Sequence, residues 1–393
     1  MSKKIRVGVL FGGRSGEHEV SLLSAASVMK AIPADKYEVI PIGITKQGQW
    51  IIDTHAERLL KGEYKETHHF RAGDPEATAS AAVLAHGESV LVPPVPSDQS
   101  SLSPFQQQKM TKGPTPLEVD VIFPVLHGTF GEDGTIQGLL ELADIAYVGS
   151  GVLGSAAGMD KDVMKKLFRD AGLPLVKHVT VLRARWETEP KKVRKEIEAK
   201  LKYPVFVKPA NLGSSVGISK VHDAGELPAA MDEAAKFDRK IVIEQGVGGK
   251  RGKAREIECA VLGNDSPRAS VCGEIVPAKE FYDYEAKYID EGSTLMIPAR
   301  IPKALQKQAQ EMAIRGFQAC DCSGLSRVDF LMDPKSSKLY INEVNTMPGF
   351  TSISMYPKLW AATGIPYPEL IDRLIQLALE RHTERKRNQY SRT

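Results

Sequence analysis

Apolar segments with strand and helix periods alternate along the first part of the chain. KKIRVGVLFGG, YEVIPIGIT and VDVIFPVLHG have the length and β-branched content of buried strands. GEHEVSLLSAASVMKAI and GTIQGLLELADI place apolar residues at the spacing of amphipathic helices. Because strands that alternate with helices are typical of open α/β sheets, we predict such a domain over residues 1–155.

The pattern becomes richer in strands after residue 155. YPVFVKPANLGSSVGISKV predicts a strand, a Gly-Ser loop and a second strand within a central α+β domain, 156–243. REIECAVLG, SRVDFLMD and KLYINEVN, with the helical segment PKALQKQAQEMAIRGFQAC between them, predict a third domain, also α+β, over 244–380. Residues 381–393 form a basic tail that we expect to be a solvated helix end. PPVPSDQSSLSPFQQQKMTKGPTP predicts a long surface loop in the first domain.

Composition excludes several classes of protein. A chain of 393 residues is too long for one ordinary core, and 42% hydrophobic with 26% charged residues is typical of globular proteins. The net charge of +3 is small and concentrated in the tail, so we expect no nucleic acid partner. No segment has the apolar length of a membrane span or a signal sequence, which predicts a cytoplasmic protein without a membrane partner. The cysteines lack disulfide or zinc spacing and are predicted to be free thiols.

Acidic and amide side chains recur at strand spacing near the C-terminal end. Two predicted strands flank a Pro-Lys-Ser-Ser turn, and alternation places Arg327 and Asp329 on one face of the first. Glu343 and Asn345 share a face of the second strand, so a hairpin would bring the two pairs together. Carboxylate and carboxamide oxygens suit Mg²⁺. The alternative from these residues alone is a solvated polar face of an edge hairpin.

The Gly-Ser loop is a candidate phosphate site. Lys208 stands at a strand end and is followed by Gly213, Ser214, Ser215 and Gly217, whose backbone N–H groups and hydroxyls could surround phosphate oxygens. The order differs from the Walker motif, so the segment is not a P-loop. A simple turn is the alternative.

The motifs together indicate a family. MDK, VKPANLGSSVG, IVIEQGV, VDFL and NEVNTMPG follow one another between residues 159 and 349, and this order resembles the ATP-grasp superfamily. GGRSGEHEVSLLS, LHGTFGEDGTIQGLLEL, FYDYEAKY and NTMPGFTSIS are similar to motifs of the D-alanine–D-alanine ligase family, over residues 4–380. The resemblance implies a three-domain ligase in which the two α+β domains enclose ATP. It also implies a homodimer that joins two D-alanines through an acyl phosphate, with release of ADP and phosphate, for peptidoglycan precursor synthesis.

The same resemblance assigns roles to individual residues. ATP contacts are implied for Lys161, Lys208, Ser215, Glu244, Glu256 and Lys287, and D-alanine contacts for His127, Ser354 and Met355. Asp329, Glu343 and Asn345 would hold two Mg²⁺ ions, with Mn²⁺ as an alternative. Catalytic roles are implied for Glu17, Ser214, Arg327, Tyr288 and Gly349.

The implied chemistry gives each catalytic group a task. Glu17 would lie near the ammonium of the first D-alanine, while Arg327 and the Gly349 N–H would face the tetrahedral oxyanion. FYDYEAKY would close over the site, with Tyr288 bonded to Ser214 and Glu17.

Rival functions remain at this point. They are a D-alanine–D-lactate or D-serine ligase, a non-catalytic nucleotide-binding protein, and a dinucleotide oxidoreductase, which the missing G-x-G-x-x-G fingerprint disfavours.

Overall fold

The computed structural model describes residues 3–52, 88–91, 101–104, 117–249, 252–276, 294–351 and 353–391. At 88–91, 101–104 and 117–118 the description covers the backbone alone. Its strands form three separate sheets, as expected for an α/β domain followed by two α+β domains.

The first sheet has eight strands. They are β1 (Ile5–Gly12), β2 (Tyr37–Ile44), β3 (Trp50–Ile52), β4 (Glu88–Leu91), β5 (Ser101–Pro104), β6 (Leu117–Glu118), β7 (Val121–Pro124) and β8 (Ala146–Tyr147). Their order is β6-β5-β4-β3-β2-β1-β7-β8. β2, β1, β7 and β8 are parallel, and β3 to β6 extend the sheet in antiparallel fashion. The surface loop predicted from the Pro/Ser/Gln-rich segment is therefore wrong at 101–104, where β5 pairs with β4 and β6.

Helices connect and cover the parallel strands. α1 (His18–Ala31) follows β1 after a tight turn, and α2 (Thr135–Leu142) and α3 (Val152–Met159) follow β7 and β8. Gly12 has a φ of 86°, and a Cβ there would lie 2.3 Å from the carbonyl oxygen of Ile44. Only glycine fits this turn, which directs the N-terminus of α1 toward the ends of the parallel strands.

The second sheet is antiparallel and has four strands. β9 (His178–Leu182), β10 (Val205–Pro209), β11 (Ser219–Val221) and β12 (Lys240–Gln245) are arranged in the order β11-β10-β12-β9. α4 (Lys161–Asp170) precedes this sheet, and α5 (Arg183–Thr188), α6 (Pro190–Lys200) and α7 (Leu227–Phe237) lie within its sequence. The predicted boundary between 243 and 244 cuts β12, whose Glu244 and Gln245 pair with β10, so this sheet continues to residue 245.

The third sheet is antiparallel and has five strands. β13 (Arg255–Gly263), β14 (Arg268–Val276), β15 (Thr294–Met296), β16 (Gly324–Met332) and β17 (Leu339–Asn345) follow the order β15-β14-β13-β16-β17. α8 (Lys303–Ala319) covers one face, where Phe317 packs with Val328 and Ile341. Met164 and Phe168 of α4 belong to the same core, so α4 anchors the second sheet to the third.

The C-terminal helices join the first and third sheets. α9 (Met355–Ala362) and α10 (Tyr367–Arg385) contribute Trp360 and Leu374 to a core that also contains Phe11 and Ala260. Arg381 lies in this junction, where its guanidinium bonds the Gly149 carbonyl and stacks 4.3 Å from the Tyr147 ring centroid. The predicted solvated helix end is therefore wrong at its start, because Arg381 and His382 bond to Gly149 and Asp144 of the first domain, whereas residues 383–391 are exposed as expected.

Two further predictions bear on the whole chain. All four cysteines are buried and unpaired, which confirms the free-thiol prediction. Across the described residues, no helix combines the length and apolarity needed to cross a membrane.

Candidate active site

One cavity of about 1080 Å³ contains the predicted site. It is lined by every predicted site residue within the described ranges: Glu17, His127, Lys161, Lys208, Ser214, Ser215, Glu244, Glu256, Arg327, Asp329, Glu343, Asn345, Gly349, Ser354 and Met355. Lys287 and Tyr288 lie outside the described residues. Residues of all three domains therefore share one space.

A row of carboxylates crosses the third sheet. Glu258 on β13 is paired with Asp329 on β16, which is paired in turn with Glu343 on β17. The hairpin predicted from the sequence is thus confirmed, and Arg327 pairs with Asn345 one step along it. We call Glu258, Asp329 and Glu343, with Arg327, the acid row.

Arg327 is held by this row through charge-assisted hydrogen bonds. Its Nε and Nη2 atoms donate to the two carboxylate oxygens of Asp329, each at 2.7 Å, and Nε lies 3.1 Å from Glu258 Oε2. Burial opposes the charged guanidinium, but Asp329 and Glu258 outweigh it and raise the pKa of Arg327 well above its usual value. The result is a fixed cation directed along the face that lines the cavity.

The donor chemistry of the row fits a magnesium site. Asp329 and Glu343 face each other across the hairpin, and the amide nitrogen of Asn345 donates to Asp329 at 2.9 Å. Mg²⁺ is commonly bound by one or two carboxylates together with water and substrate phosphates. In the described part of the chain, no three Asp, Glu, His or Cys side chains converge as a metal site. The residues thus fit a cation that phosphate oxygens help to hold.

A group of lysines lies at and beneath the cavity wall around β10 and β12. Glu244 on β12 forms an ion pair with Lys165, whose Nζ is 2.9 Å from Oε1, and its Oε2 accepts a hydrogen bond from Lys208 Nζ at 2.9 Å. Burial would raise the pKa of Glu244, but the two lysines lower it far below its usual value. Lys161 donates to the Leu212 carbonyl at 2.8 Å at the start of the Gly-Ser loop. We call Lys161, Lys165 and Lys208, with Glu244, the lysine cluster.

The Gly-Ser loop follows the lysine cluster in an unusual backbone conformation. Ser214, Ser215 and Gly217 have φ values of 49°, 60° and 69°. Non-glycine residues rarely adopt positive φ, and such conformations often form anion-binding concavities of backbone N–H groups. A Cβ on Gly213 would lie 2.7 Å from Glu17 Oε1, so glycine allows the loop to approach α1. This brings the loop and Glu17 to one end of the cavity.

His127 is bonded on both sides of its ring. Nδ1 lies 3.0 Å from the Met347 carbonyl and Nε2 lies 3.0 Å from Ser24 Oγ. The carbonyl can only accept, so Nδ1 carries the proton and Nε2 accepts from the serine hydroxyl. Burial lowers the pKa of His127, although Glu17 opposes this, so the ring is neutral. Its predicted contact with a substrate carboxylate stays a prediction, which would require one of these bonds to be exchanged.

The chain turns sharply after β17. Ser354 Oγ accepts the Thr351 N–H at 3.0 Å and closes the turn. A Cβ on Gly349 would lie 2.8 Å from this oxygen, which explains why glycine stands there. Met355 begins α9 and packs against Gly273 of β14.

Sequence reasoning missed four residues that help to build the site. Lys165 follows Lys161 by one helical turn and Glu258 follows Glu256 by one strand repeat, so periodicity could have found both. Glu132 stands inside the LHGTFGEDG motif, but nothing in the sequence reveals its partners. Ser24, within α1, carries no sequence signal.

The three-sheet fold and the shared cavity define an ATP-grasp ligase. The family profile described as D-ala D-ala ligase N-terminus matches residues 6–150, and that described as D-ala D-ala ligase C-terminus matches 167–376. The chain belongs to the D-alanine–D-alanine ligase family.

Individual members of this family are similar in sequence to this chain over nearly their full length. The D-alanine–D-alanine ligase of Heliobacterium modesticaldum is 51% identical over 98% of this chain and 97% of its own. That of Geobacillus kaustophilus is 50% identical over 99% and 98%.

Two solved structures are similar in fold as well. The D-alanine-D-alanine ligase from Coxiella burnetii has a TM-score of 0.79 and 34% identity, covering 98% of this chain and 97% of that one. The VanG D-Ala:D-Ser ligase from Enterococcus faecalis has a TM-score of 0.79 and 37% identity, covering 96% and 100%.

Proposed function

We propose that the protein joins two D-alanine molecules into D-alanyl-D-alanine with consumption of one ATP, and releases ADP and phosphate. The observation that carries this proposal is one cavity lined by Lys161 and Lys208, by the acid row, and by Glu17 and the turn at Gly349. Cationic side chains suit the phosphates, and the carboxylates suit the cation that accompanies them. Full-length similarity to curated D-alanine–D-alanine ligases supports this choice of substrates.

The reaction has two steps. A carboxylate oxygen of the first D-alanine attacks the γ-phosphorus of ATP, and ADP leaves. The amine nitrogen of the second D-alanine then attacks the carbonyl carbon of the acyl phosphate, and the C–O bond to phosphate breaks. Phosphorylation is needed because an unactivated carboxylate has no leaving group of sufficiently low basicity.

Residues of this chain would act at defined points. Lys161 and Lys208, with the Gly-Ser loop at Ser215, would hold the phosphates, and Glu256 would meet the ribose. The lysine pairing of Glu244 favours a supporting role for its carboxylate, so the adenine contact would fall to the backbone that follows it. Arg327 and the Gly349 N–H would stabilise the negative charge on the tetrahedral carbonyl oxygen.

Mg²⁺, held by Asp329, Glu343 and Asn345 with the phosphates, would neutralise charge that develops during phosphoryl transfer. Mn²⁺ has similar ligand preferences and is the alternative. Glu17 would bind the ammonium of the first D-alanine beside Ser214, while Ser354 and Met355 would contact the second.

The experiment is a product assay with purified protein, ATP, Mg²⁺ and D-alanine. We expect dipeptide, ADP and phosphate in equal amounts. AMP and pyrophosphate would contradict the acyl phosphate route, and absence of any dipeptide would contradict the proposal.

Similarity to VanG makes D-serine the alternative second substrate. A competition assay with equal D-alanine and D-serine separates the two, and we expect D-alanyl-D-alanine to predominate. D-lactate belongs in the same assay as a third acceptor.

We also infer a cytoplasmic homodimer, on the strength of family membership. Light scattering of the purified protein tests the dimer, and cell fractionation tests the location.

A further inference from the structure

A carboxylate without a role in the proposed chemistry joins two loops of the cavity. Glu132 lies in the segment 127–134 that follows β7. Its Oε2 accepts the N–H of Gly128 at 2.7 Å, within its own segment. Its Oε1 accepts the N–H of Met347 at 3.0 Å, in the turn that follows β17. One side chain therefore bonds the first domain to the third.

Two neighbouring contacts reinforce the same junction. The Met347 carbonyl accepts His127 Nδ1, as described above, and the Phe350 N–H donates to Ser24 Oγ at 3.4 Å. The turn is thus held on both sides of Gly349 by residues of the first domain. Since Gly349 lies in the middle of this turn, its N–H direction depends on these anchors.

The environment of Glu132 is costly for a carboxylate. Burial and the nearby Glu17 carboxylate raise the pKa of Glu132 to about 8, against the effect of the two backbone N–H donors and Arg327. Such surroundings destabilise the charged form of a carboxyl group, whereas a carboxylate in water would not bear that cost. Its two cross-loop bonds offer a reason for the placement.

We propose that Glu132 is a positioning residue whose two hydrogen bonds fix the turn at Met347 to Phe350 and so direct the Gly349 N–H at the reacting carbonyl. The catalytic part of this inference rests on the proposed function. The structural part does not, because the bond from Met347 to Glu132 joins two loops whatever the substrate is.

Glu132→Gln is the informative substitution. Glutamine has the same shape, but its amide accepts only one of the two N–H groups and presents N–H to the other. Because the pKa of Glu132 is about 8, the variants are compared with the wild type at about pH 9, where the carboxylate is ionised and accepts at both oxygens. Asp133→Asn is the matched control. Asp133 is the next residue and also accepts two N–H groups, from Phe130 at 2.8 Å and from Thr135 at the start of α2 at 3.0 Å, but both donors lie within three positions of it in the first domain.

Hydrogen exchange followed by mass spectrometry tests the structural part. In Glu132→Gln we expect faster exchange in peptides covering both 127–131 and 346–351. In Asp133→Asn we expect the change only in peptides covering 128–136. Unchanged exchange of 346–351 in Glu132→Gln overturns the proposal, whether or not the protein is an active ligase.

Kinetics test the catalytic part. We expect kcat for dipeptide synthesis to fall about 10- to 100-fold in Glu132→Gln, because misplacement of a catalytic group by an ångström has effects of that size. Affinity for an ATP analogue and D-alanine-dependent positional isotope exchange in ATP should persist, since the oxyanion forms only in the second step.

The control sharpens this reading. Asp133→Asn should keep wild-type kcat. Equal kcat in the two variants overturns the proposal, as does loss of isotope exchange and nucleotide affinity together with ligation. A wild-type protein that makes no dipeptide counts against the proposed function instead, and hydrogen exchange then tests the structural part of the proposal by itself.

Discussion

The lysine cluster and the acid row lie at the same cavity with opposite charge. In the first, Lys165 and Lys208 pair with Glu244, while Lys161 and Lys208 line the cavity. In the second, Asp329 and Glu258 pair with Arg327, and Glu343 lies opposite Asp329. Each group therefore contains one residue of opposite charge, Glu244 among the lysines and Arg327 among the carboxylates, which holds the other side chains in place but leaves a net charge. A ligand that meets both must be anionic on one side and cationic on the other, as nucleotide phosphates with their divalent cation are.

The two regions also differ in how their geometry arises. The acid row follows from strand pairing, because its members are opposite one another on adjacent strands. The lysine cluster comes from one helix and two strands that pack together, and it depends on a buried ion pair. We expect substitutions in the acid row to affect chemistry, and substitutions at the base of the lysine cluster to affect stability.

The largest effect is expected from Asp329→Asn or Glu343→Gln. Each change removes charge but little volume, so the fold should persist while ligation falls by at least about 100-fold, as is typical when electrostatic stabilisation is lost. Phosphate release and thermal melting measure the two properties. Asp333→Asn in the turn of the same hairpin is the control, since the Asp333 side chain bonds Lys335 and Ser336 within the exposed turn. Near-normal ligation in both acid-row variants would refute their assignment.

Lys165→Met should destabilise the fold more than it affects the chemistry. Lys165 and Glu244 are only 1% and 3% exposed, and leaving such a carboxylate with one partner fewer costs about 3–5 kcal/mol. Lys166→Met is the control, because Lys166 is 61% exposed and its pair with Asp162 should contribute less than about 1 kcal/mol.

Urea unfolding compares the two lysine variants. Adding Glu244→Leu to Lys165→Met should restore part of the lost unfolding free energy, because the buried carboxylate that lacks a partner is then removed. Equal unfolding free energies of Lys165→Met and Lys166→Met would show that the buried pair of Lys165 and Glu244 stabilises the fold no more than the exposed pair does.

Two buried carboxyl groups should give pH dependences of stability with opposite sign. The pKa of Glu244 is lowered on folding, so its contribution to stability is present above about 4.5 and is lost as pH falls below it. The pKa of Glu132 is raised to about 8, so its contribution is present below 4.5 and is lost as pH rises toward 8. Relative to Glu132→Gln, the wild type should lose unfolding free energy over that range. A constant difference between the two proteins would contradict this.

The sequence predicted the hairpin half of the acid row because alternation within a strand determines which side chains share a face. Arg327, Asp329 and Glu343 needed only the correct pairing of two consecutive strands, whereas Glu258 on β13 was missed. The family motifs supplied residues that periodicity could not, such as Glu17 and His127, and both line the cavity.

Other features depended on contacts between distant segments. The bonds from Glu132 to Met347 and from Lys165 to Glu244 join residues with more than 75 positions between them, about which local patterns say nothing. The basic composition of the tail predicted a solvated Arg381, but its side chain is half-buried because the carbonyls of Tyr147 and Gly149 accept its N–H groups.

The central claim is that the acid row binds the cation while the lysine cluster binds the phosphates. Calorimetric titration of a non-hydrolysable ATP analogue, with and without Mg²⁺, tests it directly in the wild type, in Lys208→Met and in the double variant Asp329→Asn/Glu343→Gln. We expect Mg²⁺ to strengthen binding in the wild type. Lys208→Met should weaken binding in both conditions. In the double variant, Mg²⁺ should no longer strengthen binding of the ATP analogue, while the affinity without Mg²⁺ should stay equal or rise. A double variant in which Mg²⁺ strengthens binding as much as in the wild type would contradict the account.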